Sequence, residues 1–277
     1  MFLKMARQFT AMVCFSLFLL SCNEYQKVLK NTEVKPKYDM AEKFYNDGDY
    51  MRAKRLFEQI MPKYVGKPQG ERVMFFFADS YFKDGDYYLS GYQFERFIKS
   101  YPQSEKLQEA LFLEAKSYYM VSPKYSLDQT DTNKALAKLQ NFINTYPDSE
   151  YFEEANTMAQ ELTRKKQKKE IEIAKQYEKI GEFDLPRLVS AVAALNNFIS
   201  ENPGSIYKED ALYYRLKAAT FWAENSIFSR QPERFQEAKD FYEDLIKAYP
   251  DTKFEKEASS LLKKIEKNLN RDKALSK

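Results

Sequence analysis

Two apolar patterns recur along the chain, each at the spacing of one helix face. In the first, alanine is followed by a ring, a glycine and a second ring: Ala41-x-x-Phe44-x-x-x-Gly48-x-Tyr50, Ala78-x-x-Tyr81-x-x-x-Gly85-x-Tyr87 and Ala174-x-x-Tyr177-x-x-x-Gly181-x-Phe183. The second reads Phe94-x-x-Phe97-Ile98-x-x-Tyr101-Pro102 and returns as Leu139 to Pro147, Leu195 to Pro203 and Tyr242 to Pro250, with a copy lacking the proline from Phe57 to Tyr64. Positions i, i+3 and i+4 share a helix face, so each pattern predicts a helix with one buried stripe. Alanine lets a partner helix approach, and the ring three residues on fills the space beside it. Gly48, Gly85 and Gly181 are placed to end first helices in a left-handed cap. Each proline stops a second helix, since it has no amide hydrogen to continue the ladder. Ser104, Ser149, Ser205 and Thr252 follow the prolines and are predicted to cap the next helix. The prediction is an all-α chain of helix-turn-helix units.

These spacings resemble the tetratricopeptide repeat. Unit two carries the resemblance best, through Ala78, Tyr81, Gly85, Tyr87, Phe94 and Pro102, with Ser90 where alanine is usual. The resemblance implies a solenoid of about five units, at 36–65, 70–103, 104–148, 149–204 and 205–251, with a closing helix from Lys253 to Asn270. Grouped by segment, residues 36–148 hold units one to three, 149–270 hold units four and five with the closing helix, and 271–277 form a polar tail. Successive prolines from Pro102 lie 45, 56 and 47 residues apart, against about 34 in a plain repeat, so the later units carry insertions. Tyr125–Thr132 is predicted to be one such loop. Another insertion lengthens the first helix of unit four, predicted from about Glu150 to Ile180. That helix holds the run Arg164, Lys165, Lys166, Gln167, Lys168 and Lys169. The five cations are either a solvated helix face or a docking site for an acidic partner or anionic lipid head groups.

The amino terminus has a different pattern. Lys4 and Arg7 precede a largely apolar stretch from Phe9 to Leu20, and Ser21 and Cys22 end it. This is the layout of a secretory signal, too short to span a membrane comfortably. Leu19-Leu20-Ser21-Cys22 resembles a bacterial lipobox, which implies a signal peptide at 1–21, fatty acylation of Cys22 and a lipidated tether at 22–35. Asn23, rather than Asp, follows the cysteine, which points to the outer membrane. Fully extended, residues 23–35 span about 45 Å.

Composition then removes most chemistries. Among 277 residues there is no His, and Gly numbers seven. A Ser-His-Asp triad, a Cys-His dyad and a His-ligated metal are therefore excluded. Gly66-Lys67 lacks the upstream glycine of a phosphate loop and runs into Pro68. Asp128 and Asp131 lack the glycine and closing glutamate of a calcium loop. No enzyme activity, metal or cofactor is expected. The 44 basic and 41 acidic residues lose only Lys4 and Arg7 with the signal, leaving the mature chain near neutrality. With no rings interleaved in the basic run, no nucleic-acid partner is expected. The aromatic stripe of the repeat pattern is read as core filling rather than as a cofactor pocket.

Taken whole, the chain resembles the BamD family, outer-membrane lipoproteins of the β-barrel assembly machinery. The lipobox, short tether, five units and closing helix carry the likeness. Local matches are Tyr38-Asp39-Met40-Ala41, Asp47-Gly48, Arg96-Phe97-Ile98, Asp128 to Thr132, and Tyr146-Pro147-Asp148-Ser149. Val65-Gly66-Lys67-Pro68 departs from the family's usual Pro and Phe-Gly loop. The resemblance implies a non-catalytic protein anchored on the periplasmic face of the outer membrane. Its partners would be the periplasmic domains of the barrel-forming subunit and unfolded outer-membrane proteins. First-helix positions beside the packing residues would line a client groove: Tyr38, Glu42, Tyr45 and Asn46 of unit one, and Phe75, Asp79, Phe82 and Lys83 of unit two. The rival readings are another tetratricopeptide lipoprotein that scaffolds division or export proteins, and a glycan-capturing surface lipoprotein. The single Trp222 is a poor basis for sugar platforms.

Overall fold

The computed structural model describes residues 24–64 and 67–275, with side-chain surroundings given as far as Arg271. The signal peptide and Cys22 lie outside the described residues. Those described form α-helices with short 3₁₀ turns and no strand: α1 (24–30), α2 (Val34–Asn46), α3 (Tyr50–Ile60), α4 (Gly70–Lys83), α5 (Tyr87–Ser100), α6 (Leu107–Val121), α7 (Thr130–Thr145), α8 (Phe152–Gly181), α9 (Pro186–Glu201), α10 (Lys208–Glu224), α11 (Gln231–Ala248) and α12 (Glu255–Leu275). The pairs α2/α3 to α10/α11 are five tetratricopeptide units, and α12 closes the series. α8 runs for 30 residues, the long helix that the insertion predicted.

The chain divides into two compact units. One comprises residues up to Pro123 with Thr130–Ala159, and the other comprises Lys124–Gln129 with Gln160–Lys277. The first is packed with rings. Phe57, Phe94, Phe97 and Phe142 are fully buried, as are Ala41, Ala53, Ala78 and Ala110 beside them. Phe75 meets Phe94 and Phe97 edge-on, with ring centres 5.7 and 5.5 Å apart. The second has a more aliphatic core of Leu188, Leu195, Leu216, Leu245 and Ile265, with Phe235 among them. This is the distribution the two patterns predict, alanine and ring positions inside and polar positions outside, except at Phe183, which is 90% exposed.

The capping hydroxyls work, one turn ahead of the regular helices. Ser104, Ser149, Ser205 and Thr252 each accept a hydrogen bond from the amide two residues on. Three of them are also tied to an earlier helix. Ser104 bonds Glu71 at 2.5 Å, Ser205 bonds Gln167 at 2.8 Å and Thr252 bonds Glu209 at 2.7 Å. Each cap therefore satisfies a helix end, and the three ties fix the register of one repeat on the next.

Two expectations change. Gly48 and Gly85 have φ of 81° and 82°, as a left-handed cap requires, but Gly181 does not. Gly181 is the last residue of α8, and a β-carbon there would collide with the Leu188 side chain. It is glycine because α9 approaches closely. The segment read as an extended tether is in part α1, whose Tyr25 is buried at 5% exposure and meets Phe44 edge-on at 5.6 Å. An apolar ring with a partner nearby folds back rather than staying extended in water.

Candidate functional site

In the first unit, α2 and α4 bring most of the predicted groove residues into one band. Tyr45 stacks on Phe76 with ring centres 4.4 Å apart, and its hydroxyl donates to the Asp79 carboxylate. Lys83 lies 3.2 Å from Asp79, donates to the Tyr45 hydroxyl at 3.3 Å and stands over the Tyr45 ring at 5.0 Å. Burial, and then the Asp79 carboxylate, push the Tyr45 phenol well above its ordinary range, so it stays a donor. The band continues through Arg72, which covers Phe76 at 5.2 Å and pairs with Glu42. Glu42 accepts from the Tyr38 hydroxyl at 3.3 Å. Burial raises the Tyr38 phenol despite the pull of Arg72.

The other predicted residues are placed differently. Asn46 is exposed near the end of α2. Phe82 is half-buried, edge-on to Tyr87 at 5.4 Å, with Lys116 above it at 5.9 Å. Phe75 is mostly core, but it reaches a cavity of about 430 Å³ lined by Pro68, Glu71, Arg72, Phe75, Phe76 and Lys106. Lys106 stands 5.4 Å over the Phe75 ring. Arg72, Phe76 and Lys106 were missed from sequence. The signal was the run Phe75-Phe76-Phe77: successive helix positions turn by about 100°, so three rings cannot all face one core.

Lys83 is therefore committed to Asp79 and Tyr45, and the cations at the cavity are Arg72, paired with Glu42, and Lys106, paired with Glu109 at 2.7 Å. The arrangement sets a guanidinium over the Phe76 ring and an ammonium over the Phe75 ring. That suits an extended peptide with aromatic or aliphatic side chains and a carboxylate. No group of His, Cys, Asp and Glu among the described residues could hold a metal ion.

The basic run of α8 falls in the second unit. Lys168 lies 4.5 Å over the Tyr125 ring and Lys169 donates to the Leu127 carbonyl at 2.7 Å. Both thus hold the loop at 124–129. Gln167, within the run, donates to Asn202 at 3.1 Å as well as bonding Ser205. Lys165 is half-buried, and burial lowers its ammonium. Arg164 is exposed and Lys166 partly so.

No helix among the described residues is long and apolar enough to cross a membrane. None of the curated proteins searched matches the chain. Among solved structures, two tetratricopeptide-like repeat proteins of Podosopora anserina, described as putative kinesin light chain, are similar at 13% and 12% identity. The first, a point variant, covers 76% of this chain and 92% of its own with a TM-score of 0.33. The second covers 86% and 96% with a TM-score of 0.32. The YfiO family, described as outer membrane lipoprotein, matches residues 30–185 and 184–274. With nearly all of the helical repeat array inside that match, the chain belongs to the YfiO family of BamD-type outer-membrane lipoproteins.

Proposed function

We propose that this protein is a non-catalytic scaffold and receptor of the outer-membrane β-barrel assembly complex. It is anchored on the periplasmic face through a fatty-acylated Cys22. The first two repeats receive unfolded outer-membrane proteins, and units three to five with α12 dock the barrel-forming subunit. The observation that carries the client reading is the band on α2 and α4. Rings and cations alternate there along one face, beside a cavity wide enough for a side chain. Family membership supports the envelope role.

Tyr45 and Lys83 both serve the nearly buried Asp79, so removing them strands a carboxylate. Arg72→Gln with Phe76→Leu is the cleaner test. This pair should weaken binding of a peptide copied from the last strand of a barrel protein by at least about thirtyfold, the combined worth of a ring contact and a charged bond. Unchanged affinity in a folded variant places the client elsewhere. For the anchor, Cys22→Ala should abolish incorporation of a fatty-acid analogue during growth; equal labelling of variant and parent refutes acylation.

A further inference from the structure

The second unit holds a pocket that the client reading does not use. Leu185, Pro186 and Val189 come from the start of α9; Trp222, Asn225, Ser226 and Ile227 come from the end of α10 and its turn; Arg230 and Arg234 come from the start of α11. Together they enclose about 510 Å³. Its apolar parts are open to solvent: Ile227 is 70% exposed, with Val189 and Leu185 also exposed. Such a cluster costs solubility unless something covers it.

The charges say what kind of group covers it. The Arg234 guanidinium lies 3.9 Å over the Trp222 ring and donates to the Ser226 hydroxyl. Among the described residues it makes no ion pair. Three carboxylates nearby along the chain are each held by another cation, and Glu237, one turn on from Arg234, forms no ion pair with it. Glu224 pairs with Lys264 at 3.2 Å, Glu233 with Arg230 at 3.0 Å and Asp184 with Arg187 at 3.2 Å. The ring below and the hydroxyl beside Arg234 hold its planar fork in place, so little side-chain freedom is lost when a carboxylate docks.

We infer that this pocket docks a protein segment in which an aliphatic or aromatic side chain stands next to Asp or Glu. The apolar residue fills the floor at Leu185, Pro186, Val189 and Ile227, and the carboxylate takes the open edge of Arg234. The site is separate from the client band of the first unit.

Trp222 is the only tryptophan, so its fluorescence reports occupancy directly. The full chain is titrated with a capped peptide carrying two leucines around a glutamate, and with the same peptide carrying lysine. A saturable change is expected with the glutamate peptide, with at least about tenfold weaker binding of the lysine peptide. Arg234→Gln should erase that discrimination, while Arg234→Lys keeps part of it. Arg72→Gln with Phe76→Leu should leave both titrations unchanged, which separates this site from the client groove. Three results overturn the inference. The two peptides bind equally, or neither binds; anionic phospholipid vesicles, and not the peptide, shift Trp222 in a way that Ile227→Ser abolishes; or sedimentation shows a dimer of this chain that Ile227→Ser dissolves.

Discussion

The turn after α2 and the turn after α8 begin from the same letters and end as different objects. After α2, Asp49 donates its amide to the Phe44 carbonyl at 2.8 Å, Gly48 is left-handed, and the Asp49 side chain caps α3 through the Arg52 amide at 3.1 Å. The turn after α4 repeats this with Tyr81, Gly85 and Asp86. In both, the ring two residues past glycine opens the next helix and packs back, Tyr50 on Tyr45 and Tyr87 on Phe82. After α8, Phe183 and Asp184 both bond the Ile180 carbonyl, Gly181 stays inside the helix, and Phe183 is 90% exposed. Pro186 then starts α9. A left-handed glycine folds the chain back within two residues. Without it the turn widens, and Phe183, Leu185 and Val189 are left facing solvent. The regular turns thus build a closed ring core, and the irregular one contributes a wall of the Trp222 pocket.

The largest expected effect follows from burial. Phe94→Ala removes a fully buried ring from the first unit and should cost about 3–5 kcal/mol. Phe183→Ala, at the irregular turn, should change stability by less than about 0.5 kcal/mol. Denaturant unfolding measures both. A similar cost for the two would mean that Phe183 is covered, and the contrast between the turns would be lost.

The fold was legible because periodicity is a direct record of packing. Ala41, Ala78, Phe94 and Phe142 are where i, i+3, i+4 spacing puts them, and Pro102 and Pro147 leave the backbone no choice but to stop. The groove was legible only in part. The register of the first helices put Tyr45, Asp79 and Lys83 together, but not the fact that they neutralise one another. That depends on side-chain reach across α2 and α4. Arg72 and Lys106 come from two different repeats, and single-repeat patterns do not pair them. The Trp222 pocket was not legible at all, since its residues come from three helices and share no motif. Gly181 misled because glycine serves two needs, a left-handed backbone or the absence of a β-carbon, and the letter does not say which.

Those two needs separate by substitution. Gly181→Ala pushes a methyl into the buried Leu188 side chain and should cost about 1–3 kcal/mol. Gly85 has open space around its missing β-carbon, so Gly85→Ala should cost about 1–2 kcal/mol, from the left-handed backbone alone. Asparagine sharpens the difference. It tolerates left-handed backbone, so Gly85→Asn should be milder than Gly85→Ala, whereas Gly181→Asn should be worse than Gly181→Ala. Thermal melts of the four variants decide it, and the same order at both sites would show that the turns obey one rule.

The smallest effect concerns buried charge: each unit buries a carboxylate, Glu114 in the first and Glu178 in the second, and the second also buries the Arg215 guanidinium. In the first, Glu114 is 2% exposed and paired with Lys138 at 2.6 Å. In the second, Arg215 is held by Asn196 at 2.9 Å and Asp244 at 2.7 Å, over the Phe241 ring. Burial pushes the Glu114 carboxyl above 4.5, with Lys138 opposing. It lowers the Arg215 guanidinium, against Asp244. For Glu114 the folded state therefore holds its proton at a pH where the unfolded state has released it. Stability from this group falls as pH rises from 4.5 through the raised value, then levels. Relative to Glu114→Gln, the parent should lose melting temperature across that window. Arg215→Met should show no such slope, because a guanidinium stays charged throughout it. A parent-minus-Glu114→Gln difference that is flat from about pH 4 to 7 would mean that Lys138 fully offsets the burial, and the first unit would then carry no acid-side dependence from this residue.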